Sequence, residues 1–248
     1  MKRLCSLILV FVMCFSLAVT ANAEEIPNED VTNSNISPRA EEAVVYNAAW
    51  FYALRTYYLN SGAHFTSNTA LESGMGYIYN QNTCPQFYIG LSRMASVGCE
   101  IAAVYNAIKH RGLTVPCASI IKTFEESGYL MTEGFLGSDP FAIGDYFDNN
   151  MAYQLTEYTN YNSFNTRVMD NIDTQNVYIV SFWNTDSIFD GLHTVCFYTT
   201  TGGNKLYVYN LTTGATGVAS RNSLSSFVDS ERFIVGYFVP RMGRLLDQ

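Results

Sequence analysis

The chain has 248 residues, of which 48% are hydrophobic, 15% aromatic and only 15% charged; it can bury a sizeable core and is not intrinsically disordered. A formal charge of −8 leaves no basic surface for binding a phosphate backbone, which argues against nucleic acid as a partner. Six prolines in the whole sequence exclude a fibrous or proline-rich class.

In chain order, Lys2 and Arg3 precede a nearly unbroken apolar run over 4–19, and Ala21-Asn22-Ala23 ends it in small residues. This is the pattern of a secretory signal peptide over residues 1–23. The run is shorter than the ~20 residues a membrane span needs, and Met13 before Cys14 argues against a lipidated cysteine. Cleavage would take the charge from −8 to −10, because Lys2 and Arg3 leave with no acid. The mature protein is expected outside the cytoplasm, without membrane contact. Residues 24–38 are polar and acidic with two prolines and read as a disordered leader, which leaves one domain over 39–248.

The first half of that domain reads helical. Ser37-Pro38 starts a helix with Val44, Val45, Ala48, Ala49 and Tyr52 at helical spacing, and a loop carrying Gly62, Gly74, Gly76, Pro85 and Gly90 follows. Ile101, Val104, Tyr105 and Ile108 form the next helical stripe, which begins at Cys99 and is stopped by Gly112. A third helix runs from Pro116 to Gly128, and a fourth opens on Asp139-Pro140 and buries Ala142, Ile143, Tyr146 and Phe147. The second half changes character: 177–183, 194–200, 206–211 and 233–239 are short runs rich in Val, Ile, Tyr and Phe between polar turn clusters, as in antiparallel strands. Helices followed by strands define an α+β class.

The mature chain has four cysteines (Cys84, Cys99, Cys117, Cys196) and three histidines (His64, His110, His193). None has zinc-type spacing, and no P-loop or strand-linked G-x-G-x-x-G is present, so neither a metal nor a nucleotide cofactor is expected. Cys99 stands apart. It follows Gly98 and opens an amphipathic helix, where free N–H groups favour a thiolate and can hold an oxyanion. Gly98 would let a substrate backbone approach. His193, in Gly191-Leu192-His193-Thr194, stands at the mouth of an apolar strand, where a general base can face a cleft. Asn210 is a poor strand former inside the next run.

A Gly202-Gly203 turn would pair residues whose numbers sum to 405, which puts His193 and Asn210 on one face, a diagonal step apart. The amide would then orient the imidazole, with Asp186 and Asp190 as competing orienters. His110, between Lys109 and Arg111, reads as a solvated helix end, and His64 as a loop residue without a partner. Cys196 alternates onto the face opposite His193, and Cys84 and Cys117 are one possible disulfide among three full pairings.

Gly98-Cys99 at a helix start, then the His193 strand, then the Asn210 strand, together resemble the papain-like cysteine peptidases. The nearest branch is the bacterial one that holds the bacteriocin-leader-processing peptidases and their secreted relatives, and the resemblance covers roughly 75–240. It implies a papain-like α+β fold with a helical lobe packed on an antiparallel sheet. It also implies a Cys-His-Asn triad: Cys99 as nucleophile, His193 as general base and then acid, Asn210 as orienter. The substrate would be a peptide or protein, cleaved through an acyl-enzyme. Two positions depart from the family pattern. Glu100 replaces the glycine usual after the cysteine, and Arg93 replaces the glutamine usual six residues before it, leaving Ser92, Ser96 or Gln86 as substitute oxyanion donors. A scaffold without its oxyanion donor would serve instead as an inactive module that recognises peptides or cell-wall glycans.

Overall fold

The computed structural model describes residues 63–134, 137–151, 153–184, 191–212 and 214–241, all within the unit Trp50–Gln248. The signal peptide, the leader, the helix expected around Val44 to Tyr52, and Asp186 and Asp190 lie outside the described residues. Helices α1 (Ala63–Leu71), α2 (Met94–Val97), α3 (Cys99–His110), α4 (Cys117–Glu126) and α5 (Ala142–Met151) come first, with a small hairpin of β1 (Tyr88–Ile89) and β2 (Ser92–Arg93) among them. Strand β3 (Thr156–Tyr158) and helix α6 (Tyr161–Met169) lead into β4 (Val177–Trp183), β5 (Leu192–Tyr198), β6 (Leu206–Val208), β7 (Ala219–Arg221) and β8 (Phe233–Val239).

The larger sheet is antiparallel in the order β3-β8-β4-β5-β6-β7. Alternation along its strands splits the core into two layers. Val177, Ile179, Cys196, Val235 and Tyr237 face the α3 side, and Tyr178, Val180, Val195 and Phe197 pack with Phe164 and Val168 of α6 on the other. The α+β class is as the sequence indicates.

Helix α3 is buried on every side from Cys99 to Ile108, rather than along one stripe. A helix so enclosed must satisfy its polar side chains internally. Asn106 does so by accepting from the Ile78 N–H and donating to the Ile78 carbonyl, each at 2.8 Å, which ties the preceding loop to the helix. Helix α5 starts at Ala142, two residues beyond Pro140, after Asp139 Oδ1 accepts from the Phe141 N–H.

Several elements escape the sequence reading. The expected loop contains α1, whose sequence AHFTSNTAL has no apolar stripe; it is held by Asn68, which bonds both the N–H and the carbonyl of Tyr88. Strands β3 and β7, three residues each, are too short for alternation to register. Helix α6 is capped by Asn160, whose Oδ1 accepts from the Ser163 N–H at 3.1 Å.

Candidate active site

Cys99 is the first residue of α3, and Gly98 is shared with the end of α2, where its N–H bonds the Met94 carbonyl at 3.0 Å. A side chain at Gly98 would put its Cβ 2.7 Å from that carbonyl oxygen. The tight α2–α3 junction therefore demands a glycine here.

The thiol meets the sheet at an open edge. Asn184 N–H bonds the Gly191 carbonyl and Thr199 N–H the Asn176 carbonyl, so odd-numbered residues flanking and within β5 bond toward β4. Even-numbered ones bond toward β6, as Cys196 does to the Tyr209 N–H at 2.9 Å. The β5–β6 register is 197↔208 and 198↔207, the expected sum of 405. The ladder then stops, because Asn210 adopts φ +55° and turns the chain away. Among the described residues Leu192 and Thr194 have no strand partner on that side, and the Cys99 sulfur occupies the gap. Cys99 Sγ lies 3.7 Å from the Leu192 carbonyl, and the Thr194 backbone adds a hydrogen bond to the sulfur.

His193 follows Leu192 directly. Its Nε2 lies 2.8 Å from the Asn210 backbone carbonyl. A carbonyl only accepts, so Nε2 carries the proton and Nδ1 is left with a lone pair. The side-chain amide expected to orient the imidazole is engaged elsewhere. Asn210 Oδ1 accepts from the Gln81 N–H and Nδ2 donates to Gln81 Oε1, both at 2.8 Å, while its own N–H bonds the Tyr79 carbonyl. Burial holds the His193 pKa below its ordinary value, against the Asn210 bond. The ring packs edge-on against Phe182 and lines a cavity of about 390 Å³ with Trp183, Leu211, Arg221 and Phe227. No hydrogen bond joins the thiol to the imidazole among the described residues; the sulfur's partners are Leu192, Thr194 and Glu100.

Glu100 turns inward, and its side chain is 1% exposed. Its Oε2 accepts from the Cys99 thiol at 3.2 Å, its Oε1 from the Thr194 hydroxyl at 3.2 Å, and the Ser138 N–H donates to the same carboxyl. Ser181 completes the chain, 2.8 Å from Thr194 Oγ1. Burial lifts the Glu100 carboxyl to about 7, against the hydrogen bonds it accepts. Burial, and the Glu100 carboxylate beside it, hold the Cys99 thiol well above the usual thiol range, so the helix start does not depress it.

Gln86 is spent on structure, with Oε1 accepting from the Ala95 N–H and Nε2 donating to the carbonyls of Gln81, Asn82 and Cys84. Arg93 stacks on Tyr88 at 3.6 Å. Gln81, which the sequence did not single out, links both sides of the site: besides holding Asn210, its Nε2 donates to the Ala95 carbonyl at 3.0 Å, one turn before Cys99. His110 is not a solvated cation: it lies 4.2 Å from the Tyr198 ring, and burial lowers its pKa to about 4. His64 has a partner, Glu125, at 3.5 Å. The four described cysteines are free thiols, so Cys84 and Cys117 are not bridged. Among the described residues no cluster of three or more His, Cys, Asp or Glu could hold a metal, and no helix is long and apolar enough to cross a membrane.

The class these elements define is α+β. No family model matches the chain, and no curated protein is similar to it. Among solved structures, it is similar to the crystal structure of a Bacillus anthracis protein assigned by its name to the C39-like peptidases, at 13% identity and a TM-score of 0.39, over 68% of this chain and 96% of that one.

Proposed function

We propose that the protein is a secreted thiol hydrolase of papain-like type, acting on amide bonds of peptides. The observation that carries this reading is the Cys99 sulfur at a helix start, set against the open edge of β5 one residue from an imidazole whose tautomer is fixed. In this reading Cys99 attacks the carbonyl carbon and forms an acyl-enzyme. His193 moves protons through Nδ1, and Asn210 orients it through its carbonyl rather than its amide. Secretion rests on the sequence of residues 1–23. The test is Cys99→Ala in the full chain: peptide hydrolysis and labelling by a thiol-directed reagent should both be lost, and hydrolysis that survives the substitution refutes the assignment.

A second reading is favoured by one observation, the Glu100 carboxylate that raises the thiol's pKa beside it. In that reading the scaffold binds peptides or cell-wall glycans without cleaving them. Binding of a peptide library that Cys99→Ala leaves intact, with no turnover by the unsubstituted chain, would select it.

A further inference from the structure

Within the site the group that touches the thiol is a carboxylate, and it is equipped as an acceptor. Glu100 Oε2 takes the Cys99 hydrogen bond at 3.2 Å, while the Thr194 hydroxyl and the Ser138 N–H hold the rest of the carboxyl in place. Behind Thr194, Ser181 fixes the direction of that hydroxyl, since Thr194 donates to Glu100 and must accept from Ser181. We propose that Glu100 is a catalytic residue of the thiol hydrolase, the group that accepts the Cys99 proton as the sulfur attacks. This rests on the reading of Cys99 as nucleophile and assigns the first proton transfer to the carboxylate in contact.

The reason is one of charge. Above about pH 7 the Cys99–Glu100 pair already carries one buried negative charge. Moving the proton from sulfur to oxygen shifts that charge by one hydrogen bond and creates no new one. Deprotonation by solvent would instead bury a second anion, which is costly in a site this enclosed. Among the described residues nothing else charged faces the carboxyl: α3 contributes Cys99, β5 Thr194, β4 Ser181 through Thr194, and the segment before α5 contributes Gly137 and the Ser138 N–H. His193, next in the chain to Thr194, is bonded to Asn210.

The C–S bond forms, the carbonyl π pair moves to oxygen, and the thiol proton passes to Glu100 Oε2. As the oxygen pair returns, the C–N bond breaks and the amine leaves with that proton. Water then adds to the thioester, one of its protons goes to His193 Nδ1, and it returns to sulfur when the C–S bond breaks.

Iodoacetamide alkylation of the full-length chain between pH 5 and 10, with the modified cysteine identified by mass spectrometry, tests this. If the pair shares one proton, the reactive thiolate–carboxylic acid form belongs to the singly protonated pair. The Cys99 rate then rises through about pH 7 and stays flat to pH 9. Glu100→Gln should abolish the plateau and slow alkylation at pH 7.5 on the order of 10²-fold. A wild-type rate that climbs tenfold per pH unit past pH 9 overturns the proposal whether or not the variant folds. So does faster alkylation of Glu100→Gln, or a plateau that survives Glu100→Gln and vanishes in His193→Gln. Labelling at Cys99 without the plateau overturns only the role of Glu100, whereas labelling elsewhere, with Cys99 inert, overturns the hydrolase reading too.

Discussion

Asn210 presents its carbonyl to His193 because its backbone is left-handed, at φ +55°. Asparagine tolerates that conformation far better than residues with an apolar Cβ branch, and here its amide is further paired with Gln81. The contribution of conformation and that of the amide separate by substitution. Asn210→Gly keeps the backbone conformation and loses the two amide bonds, whereas Asn210→Ala loses both. The alanine variant should be less stable than the glycine variant by about 1–2 kcal/mol, read as a lower urea midpoint. Equal midpoints would show that the turn is held from elsewhere. The sequence flagged Asn210 as odd for a strand, and rightly, but read the amide as the functional atom. Side-chain chemistry is legible in a sequence; a backbone carbonyl turned by one dihedral angle is not. The inward turn of Glu100 is not legible in the sequence for a related reason. An acid in the first turn of a helix normally faces solvent and complements the dipole, and what draws it inward is a hydroxyl 94 positions away, on Thr194.

The packing of α6 onto β8 hangs on a glycine. A Cβ on Gly236 would stand 2.7 Å from the Phe164 ring, which packs across β8 and against Tyr178, Phe197 and Phe233. Gly236→Ala should therefore destabilise the fold by about 1–3 kcal/mol through overpacking. The double variant Gly236→Ala with Phe164→Leu should cost less than the sum of the two singles in a denaturation cycle, because the smaller side chain vacates the contact. Additive costs would place the strain elsewhere. At this scale legibility follows length and composition. Strands β4 and β8, seven residues each and rich in Val, Ile, Tyr and Phe, lie where the sequence puts them. Strand β5 begins two residues earlier than its apolar run, because Leu192 and His193 pair with Trp183 and Phe182 of β4. Helix α1 carries no apolar stripe and is held by Asn68, a tertiary bond that no local pattern encodes. The register of 405 came out right from a two-residue turn although the connection between β5 and β6 is longer, because parity and sum survive a symmetric extension of the loop.

For the molecule as a whole, titratable groups shifted by burial pull the stability in opposite directions with pH. Glu100 is raised from an ordinary carboxyl value to about 7, so between roughly pH 4.5 and 7 the folded chain holds a proton that the unfolded chain releases. Its contribution is complete below that window and lost as pH rises through it, by on the order of 3 kcal/mol at most. Glu125, raised in the same direction by burial, adds to the trend. His110 has the opposite sign. Its pKa falls to about 4, so its contribution is present above about pH 6.5 and lost as pH falls through 4. The windows overlap, and the wild-type urea midpoint should vary little between pH 4.5 and 6.5. Single variants expose the hidden slopes: Glu100→Gln should gain stability with rising pH through this range, and His110→Gln should lose it. Parallel profiles for both variants would mean that neither group titrates differently in the folded state. A carboxyl that weakens the fold as it ionises is an expensive thing to bury unless the charge has a use. The contact with Cys99 supplies one, since above about pH 7, where the loss of stability is complete, Glu100 is ionised and able to take the thiol's proton.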